Sequence, residues 1–327
     1  MAGLRKIIGK MRNTKYWELS GLIVLIITYS FIIQLNNKTF LSFANIINIL
    51  SQIVVFGILS CALAFPMING TFDLSISSLC ALGGTTSALI CTKGLYGIKL
   101  PFAGAIIVSI LICAMFGAIN GTIISRTKIP PFIVTLGMDI TIRGVVYIVS
   151  NNSPVGYLPP EYLALGSSTI YKIPISVLIM ALIFLIVSLV LGRTSYGRKI
   201  YANGGNYEAS YISGVNVKGI RFSTYVISAV LAAIAGILMT ARVGSATPNA
   251  ADSYATTAIS SCAMGGVSLS GGTGTVLGIF LGSAMMGMIT NGMNLMRIGS
   301  NWQMIMKGAL MIGAVFYSMW ITNTSKR

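Results

Sequence analysis

Pro174-Ile175-Ser176-Val177-Leu178-Ile179-Met180-Ala181-Leu182-Ile183-Phe184-Leu185-Ile186-Val187-Ser188-Leu189-Val190-Leu191 runs without a charge between Lys172 and Arg193. Hydrocarbon about 30 Å thick is crossed by roughly 20 apolar residues wound as a helix, so the stretch reads as a membrane span. The rest of the chain has the same character. Of 327 residues, 55% are apolar and 9% charged, and the mean hydropathy is +0.84. Soluble domains have about 45–50% apolar and about 25% charged residues. An ordinary soluble enzyme is therefore excluded, and one membrane-embedded body is expected instead of two soluble domains.

Working outward, apolar runs bounded by polar, Pro or Gly residues mark ten candidate spans, at 18–36, 45–65, 74–92, 101–124, 130–150, 174–191, 220–243, 256–270, 273–293 and 302–321. The eighth is short and rich in Ser and Gly, which suits a helix buried among others or a broken one lining a polar cavity. The expected fold class is an all-α integral membrane protein of about ten transmembrane helices. A cytoplasmic basic segment covers 1–17, a single transmembrane domain covers 18–321 with an inside loop at 192–219, and a cytoplasmic tail covers 322–327. Arg5, Lys6, Lys10, Arg12 and Lys15 precede the first span in the manner of a signal peptide. No A-x-A-like site follows Gln34 and another apolar run begins within about ten residues, so an uncleaved anchor is expected.

The formal net charge of +16, from 22 basic and 6 acidic residues, has a topological explanation. With both termini cytoplasmic, Arg126, Lys128, Arg193, Arg198, Lys199, Lys218, Arg221, Lys326 and Arg327 join the amino-terminal cluster inside. Lys38, Lys93, Lys99, Lys172, Arg242 and Arg297 fall outside, together with Asn152 and Pro248, while Asn203 falls inside. This asymmetry follows the positive-inside rule. The charge thus serves orientation in the cytoplasmic membrane and attraction to anionic lipid, and nucleic acid is not an expected partner.

Absences narrow the chemistry. There is no histidine, and Cys61, Cys80, Cys91, Cys113 and Cys262 lie singly in apolar runs with no CxxC pair. Histidine metal sites, Ser/His/Asp triads and a disulfide framework are excluded. The run Gly271-Gly272-Thr273-Gly274 lacks the Lys-Ser/Thr of a phosphate-binding loop. No catalytic residue, metal or cofactor is expected in this chain, and if ATP drives it, another chain binds the ATP and its Mg.

Ser77-Ser78-Leu79-Cys80-Ala81-Leu82-Gly83-Gly84 recurs approximately as Ser260-Ser261-Cys262-Ala263-Met264-Gly265-Gly266. A looser echo links Phe116–Gly121 to Met286–Gly292. The copies fall five spans apart, in opposite senses across the membrane. Inverted repeats are a transporter architecture with the solute route at the repeat interface. Recurrence of small residues that let helices approach, as in Gly117-x-x-x-Gly121 and Gly278-x-x-x-Gly282, is the alternative explanation.

Asn69-Gly70-Thr71-Phe72-Asp73-Leu74-Ser75 resembles the Gly-Gly-Ile-Asp-Leu-Ser signature of permease subunits from bacterial ABC importers for ribose and related monosaccharides. Pro131–Met138 with Arg143-Gly144, the loop Tyr196-Gly197-Arg198 to Lys218, and Gly265–Gly272 with Asn291–Leu295 and Trp302–Gly308 are similar to three further motifs of that family, in order. The likeness spans about residues 40 to 320. It departs at Thr71-Phe72, Ser77, Val267 and Thr273, where the family favours Gly-Ile, Gly, Thr and a basic residue. The resemblance implies a fold like ten-helix importer permeases and a second permease copy, as homodimer or paralogous heterodimer. It also implies an ABC ATPase subunit and an extracytoplasmic sugar-binding protein. The expected activity is import of a neutral monosaccharide such as a pentose or hexose. An ion-coupled carrier of a small polar solute, or an ABC permease for a related non-sugar solute, are the alternatives.

Two residue groups carry this expectation. Asn206 to Gly214 reads as a two-turn helix with Asn206 as N-cap, Glu208 in the first turn and Gly214 at the C-cap. With Ala209, Ser213 and Asn216 it is the candidate ATPase-coupling element, the alternative being a solvated surface helix. Asp73, Ser75, Asn120, Asn291, Asn294 and Gln303 are the candidate lining of the solute route. For Asp73 a structural cap for a helix starting at Leu74 is the favoured reading, and the amides equally suit interhelical hydrogen bonds. Asp139 and Arg143, spaced i,i+4, are expected to neutralise each other.

Overall fold

The computed structural model describes residues 17–325. The basic cluster from Arg5 to Lys15, and Lys326 and Arg327, lie outside the described residues. The chain forms helices α1 (Trp17–Asn36), α2 (Phe43–Ile68), α3 (Ile76–Cys91), α4 (Phe102–Arg126) and α5 (Pro131–Val149). Helix α6 (Pro160–Ser167) and a two-residue-stranded hairpin, β1 (Thr169–Ile170) with β2 (Ile173–Pro174), then lead into α7 (Ile175–Arg193). There follow α8 (Ser195–Gly205), α9 (Tyr207–Ile212), α10 (Val217–Val243), α11 (Tyr254–Met264), α12 (Val276–Leu295) and α13 (Ser300–Ser325). Among the described residues, α2, α4, α5, α7, α10 and α12 are the six helices long and apolar enough to cross a membrane, and α1 and α3 include shorter apolar helices.

The expected eighth span is corrected in length. Helix α11 has 11 residues, about 16 Å at 1.5 Å per residue, roughly half the hydrocarbon thickness. It stops because Gly265 caps it and Gly266 turns at φ +77°, after which Gly271, Gly272 and Gly274 also take positive φ. That run belongs to a loop.

Helix α10 is the centre, packed against α2, α3 and α4. Small residues bring the backbones together. A Cβ on Gly83 would lie 2.7 Å from the Ala233 Cα, and one on Gly121 would lie 2.7 Å from the Phe222 carbonyl oxygen. On α10 itself, a Cβ on Gly236 would overlap the Cys80 carbonyl of α3. In the same way Gly278 and Gly282 of α12 lie against the backbone of α11 at Gly265 and Ser261. Both Gly-x-x-x-Gly pairs are therefore close-packing devices, as small residues are in lipid where apolar burial alone gives helices no preference for one another. Some buried hydroxyls return to their own helix: Ser60 Oγ donates to Phe56 O at 2.7 Å and Thr86 Oγ1 to Leu82 O at 2.7 Å.

At one end, α6 packs on α10 through Tyr162, whose hydroxyl pairs with Ser87 Oγ at 2.6 Å and whose ring meets Phe102 edge-on at 5.5 Å. Burial pushes this phenol above its usual range. A bridge between Val155 and Ala246 closes the same cap.

Overpacking of a tight contact costs about 1–3 kcal/mol. Gly236→Ala should lower the thermal midpoint of the purified protein in detergent by several degrees, whereas Gly192→Ala, with nothing within 4 Å of its added Cβ, should leave it unchanged.

Candidate functional site

Asp73 sits where α2 has ended and α3 has not begun. The stop is local: Pro66 lies in the last turn of α2, and Thr71 returns both its N–H (2.9 Å) and its Oγ1 (3.1 Å) to the Pro66 carbonyl. Four residues separate this turn from Ile76, and Asp73 among them is wholly buried. Its Oδ1 accepts the Ser75 N–H at 3.1 Å and the Ser75 hydroxyl at 2.6 Å, and its Oδ2 accepts the Ser228 hydroxyl of α10 at 2.8 Å. Asn120 of α4 donates through Nδ2 to Ser75 Oγ at 3.0 Å. Every hydrogen in this network points toward the carboxyl; burial, the larger influence, raises the Asp73 carboxyl above its usual range, and the bonds from Ser75 and Ser228 act in the opposite direction by favouring its charged form. Asn120 Oδ1, fully buried, is left as an acceptor without a partner.

The cap expected on Leu74 takes a different form. Ser75 occupies the N-cap and makes no side-chain cap bond, and Asp73 takes the Ser75 N–H from two residues upstream, as Asx turns do. A second acid completes the turn, because Asp139 of α5 accepts the Ser78 N–H at 3.2 Å through Oδ1. Unpaired N–H groups and the positive end of the dipole at the α3 N-terminus offset both carboxylates.

The expected Asp139–Arg143 pair is corrected by the same contacts. Arg143 NH1 donates to the carbonyls of Pro248 and Ala250 at 2.8 and 2.9 Å. A helix N-terminus and a pair of loop carbonyls offer each charge a better-aligned partner than an i,i+4 neighbour on the same helix.

The other candidates for the route are elsewhere. Asn291 of α12 and Asn45 of α2 form a reciprocal amide pair at 2.9 and 3.0 Å, both buried. Asn294 Oδ1 accepts Gln303 Nε2 at 2.8 Å, on exposed Asn294 and half-buried Gln303. Asp73, Ser75 and Asn120 form one site, and Asn291, Asn294 and Gln303 do not join it. Ser228, which completes the site, was missed because a serine in an Ala-rich span carries no signal of its partner. Ser77 was likewise missed: its Oγ accepts the Ala255 N–H at 2.8 Å, joining the first turns of α3 and α11.

The short helix expected between Asn206 and Gly214 is present as α9, six residues long. Asn206 is its N-cap, accepting the Ala209 N–H through Oδ1 at 2.9 Å, and Glu208 lies in its first turn. Ser213 takes the C-cap and Gly214 follows at φ +78°. Asn216 is the N-cap of α10, accepting the Gly219 N–H at 2.9 Å.

Glycine-packed apolar helices around a buried network of neutral donors define a multi-pass helical membrane protein. The chain belongs to the family of branched-chain amino acid transport system permease components, which it matches over residues 45–315. It is 35% identical to the ribose import permease protein RbsC of Haemophilus influenzae, over 91% of this chain and 92% of that protein. It is 34% identical to RbsC of Escherichia coli K12, over 94% and 96%, and 32% identical to the D-allose transport system permease protein AlsC of that strain, over 92% and 91%. No solved structure matches it.

Hydrogen bonds to a charged group contribute about 1.5–3 kcal/mol each. Asp73→Ala, which strands the donors of Ser75 and Ser228, should therefore destabilise the protein by at least about 3 kcal/mol. Asp73→Asn, which keeps one oxygen, should cost less. Thermal unfolding of both variants in detergent checks the order.

Proposed function

We propose that this chain is the membrane subunit of an ATP-driven ABC importer that moves a neutral monosaccharide inward across the cytoplasmic membrane. Family membership, with relatives named for ribose and D-allose aligned over nine-tenths of the chain, carries the reading. In it, ATP and Mg are bound by a separate ATPase, an extracytoplasmic sugar-binding protein delivers the solute, and a second permease copy completes the route.

The geometry supports three parts of the reading: a knob for the ATPase, a face for a second copy and an acceptor for a neutral solute. Helix α9, short and capped at both ends, offers Glu208, Ala209 and Ser213 as a knob about 9 Å long for a groove on the ATPase. Helix α5 leaves Gly137, Thr141 and Gly144 exposed beside half-buried Asp139 and Arg143, and nothing lies within 4 Å of a Cβ added at either glycine. Polar groups facing lipid are costly, so this face suits a second copy and a wet route between the two. Asn120 Oδ1, a free acceptor beside Ser75, suits a solute hydroxyl. Ten membrane helices follow when α1, α3, α13 and the half-length α11 are added to the six long apolar helices, the glycine-rich loop after α11 completing its crossing. The meeting of α3 and α11 through Ser77 and Ala255 suits an inverted repeat, the two short helices being its matched halves.

Two experiments test the reading. Reconstituted in liposomes with its ATPase and binding protein, the permease should take up a labelled neutral monosaccharide and not its phosphate ester, because the buried network of Asp73, Ser75, Asn120 and Ser228 holds an acid and neutral groups and no cation. ATP-dependent uptake of an anionic or apolar solute, with monosaccharides inert, would end it. For orientation, Pro248 and Asn203 are buried, so the probes move to exposed neighbours. An impermeant thiol reagent should reach Asn152→Cys and Asn249→Cys from outside intact cells and fail to reach Lys199→Cys, measured over the unsubstituted background.

A further inference from the structure

Helix α8 ends on Asn203-Gly204-Gly205, one residue before α9 begins. Asn203 is buried, and its Nδ2 donates to Asn69 Oδ1 at 2.6 Å. Asn69, also buried, is the C-cap of α2. Gly204 lies directly on the backbone of both neighbours, for an added Cβ would overlap the Ile68 carbonyl oxygen and stand 2.7 Å from Gly272 N. Gly272 in turn donates its N–H to Ile68 O at 2.8 Å. A Cβ on Gly271 would stand 2.6 Å from the Gly70 Cα and 2.9 Å from Gly204 O. Tyr201 Oη closes the group by donating to Gly274 O at 2.8 Å. Gly70, Gly271 and Gly272 have φ of +80°, +85° and +77°, a conformation that glycine adopts without strain.

Three segments thus meet backbone to backbone: the end of α2, the end of α8 and the loop between α11 and α12. Side chains yield by changing rotamer, but backbone in contact does not, so a displacement of one segment is passed to the others. On one side of the joint, Gly70 leads within three residues to Asp73 and the first turn of α3. On another, Gly274 leads to Thr275, the N-cap of α12, and back through Ser268 to the end of α11.

We infer that this joint transmits movement of the cytoplasmic knob to both helix breaks at once, with Asn203, Asn69 and Gly204 as positioning residues for coupled transport. The inference rests on the importer reading. These residues touch neither the solute nor ATP; they make α8, the α2–α3 break and the α11–α12 loop move as one body.

The test uses the complete complex of permease, ATPase and binding protein in liposomes. Asn203→Ala should assemble and hydrolyse ATP as the unsubstituted complex does, while solute moved per ATP falls roughly three- to tenfold, the size of one lost buried hydrogen bond. An unchanged ratio overturns the inference. In the second arm, Asn69→Cys and Asn203→Cys are bridged by a short bifunctional thiol reagent. Uptake within about twofold of the unbridged complex is expected, because the bridged residues already move together. Uptake abolished by the bridge and restored by its cleavage overturns the joint. A complex that moves no monosaccharide at all defeats the importer reading instead. The joint is then judged from nucleotide-driven thiol labelling at exposed Arg198→Cys and Ser270→Cys. Labelling at the two sites must change together in the unsubstituted background and separately in Asn203→Ala; independent change in the unsubstituted background overturns it.

Discussion

The first turn of α3 begins inside the protein with N–H groups that no helix carbonyl can satisfy, and two carboxylates answer it. A buried helix terminus without partners and a buried acid without compensation are each costly. Placed together, Asp73 on the Ser75 N–H and Asp139 on the Ser78 N–H relieve one another. Much of the surrounding architecture follows from holding them there. Ser228 fixes α10 to the second oxygen of Asp73, Asn120 fixes α4 to Ser75, and the reach of Asp139 fixes the depth of α5. Through Ser77, the same turn also receives the N-terminus of α11.

Helices can converge on that turn because they are narrow where they cross. In lipid, helix association draws on close packing and hydrogen bonds more than on burial of apolar surface. The glycines and alanines of α3, α4 and α10 supply the first, and the serine, asparagine and aspartate network supplies the second. A larger residue at Gly83 or Gly236 would push α3 off α10 and carry Ser75 away from Ser228, so the packing residues and the polar site are parts of one arrangement.

This arrangement also divides labour in a way that suits transport. Nothing in the buried network is a strong cation or a metal-ligating set; among the described residues no group of His, Cys, Asp or Glu is placed to hold a metal ion. The chain offers short helices ending within the body, glycine-rich breaks between them, and a helix pair α8–α9 reaching one of those breaks.

By itself the sequence determined what depends on local free energy. Residues 174–191 form a span, observed at 175–193, because transfer of uncharged residues into hydrocarbon is nearly additive along a helix. The weak eighth run is a short helix because Gly265 and Gly266 end it, and Asn206 caps α9 because the Ala209 N–H lies three residues away. Tertiary structure decided everything that depends on helix rotation and depth. Asp139 and Arg143 share a face of α5, yet each turns to a stronger partner on another element, and Asn291 meets Asn45 from 246 positions away. Residue order sets which groups lie on a helix but not which neighbouring helix they face. A buried polar group bonds to whichever donor or acceptor the packing brings within about 3 Å, and in this chain the small residues of α3, α4 and α10 set that packing.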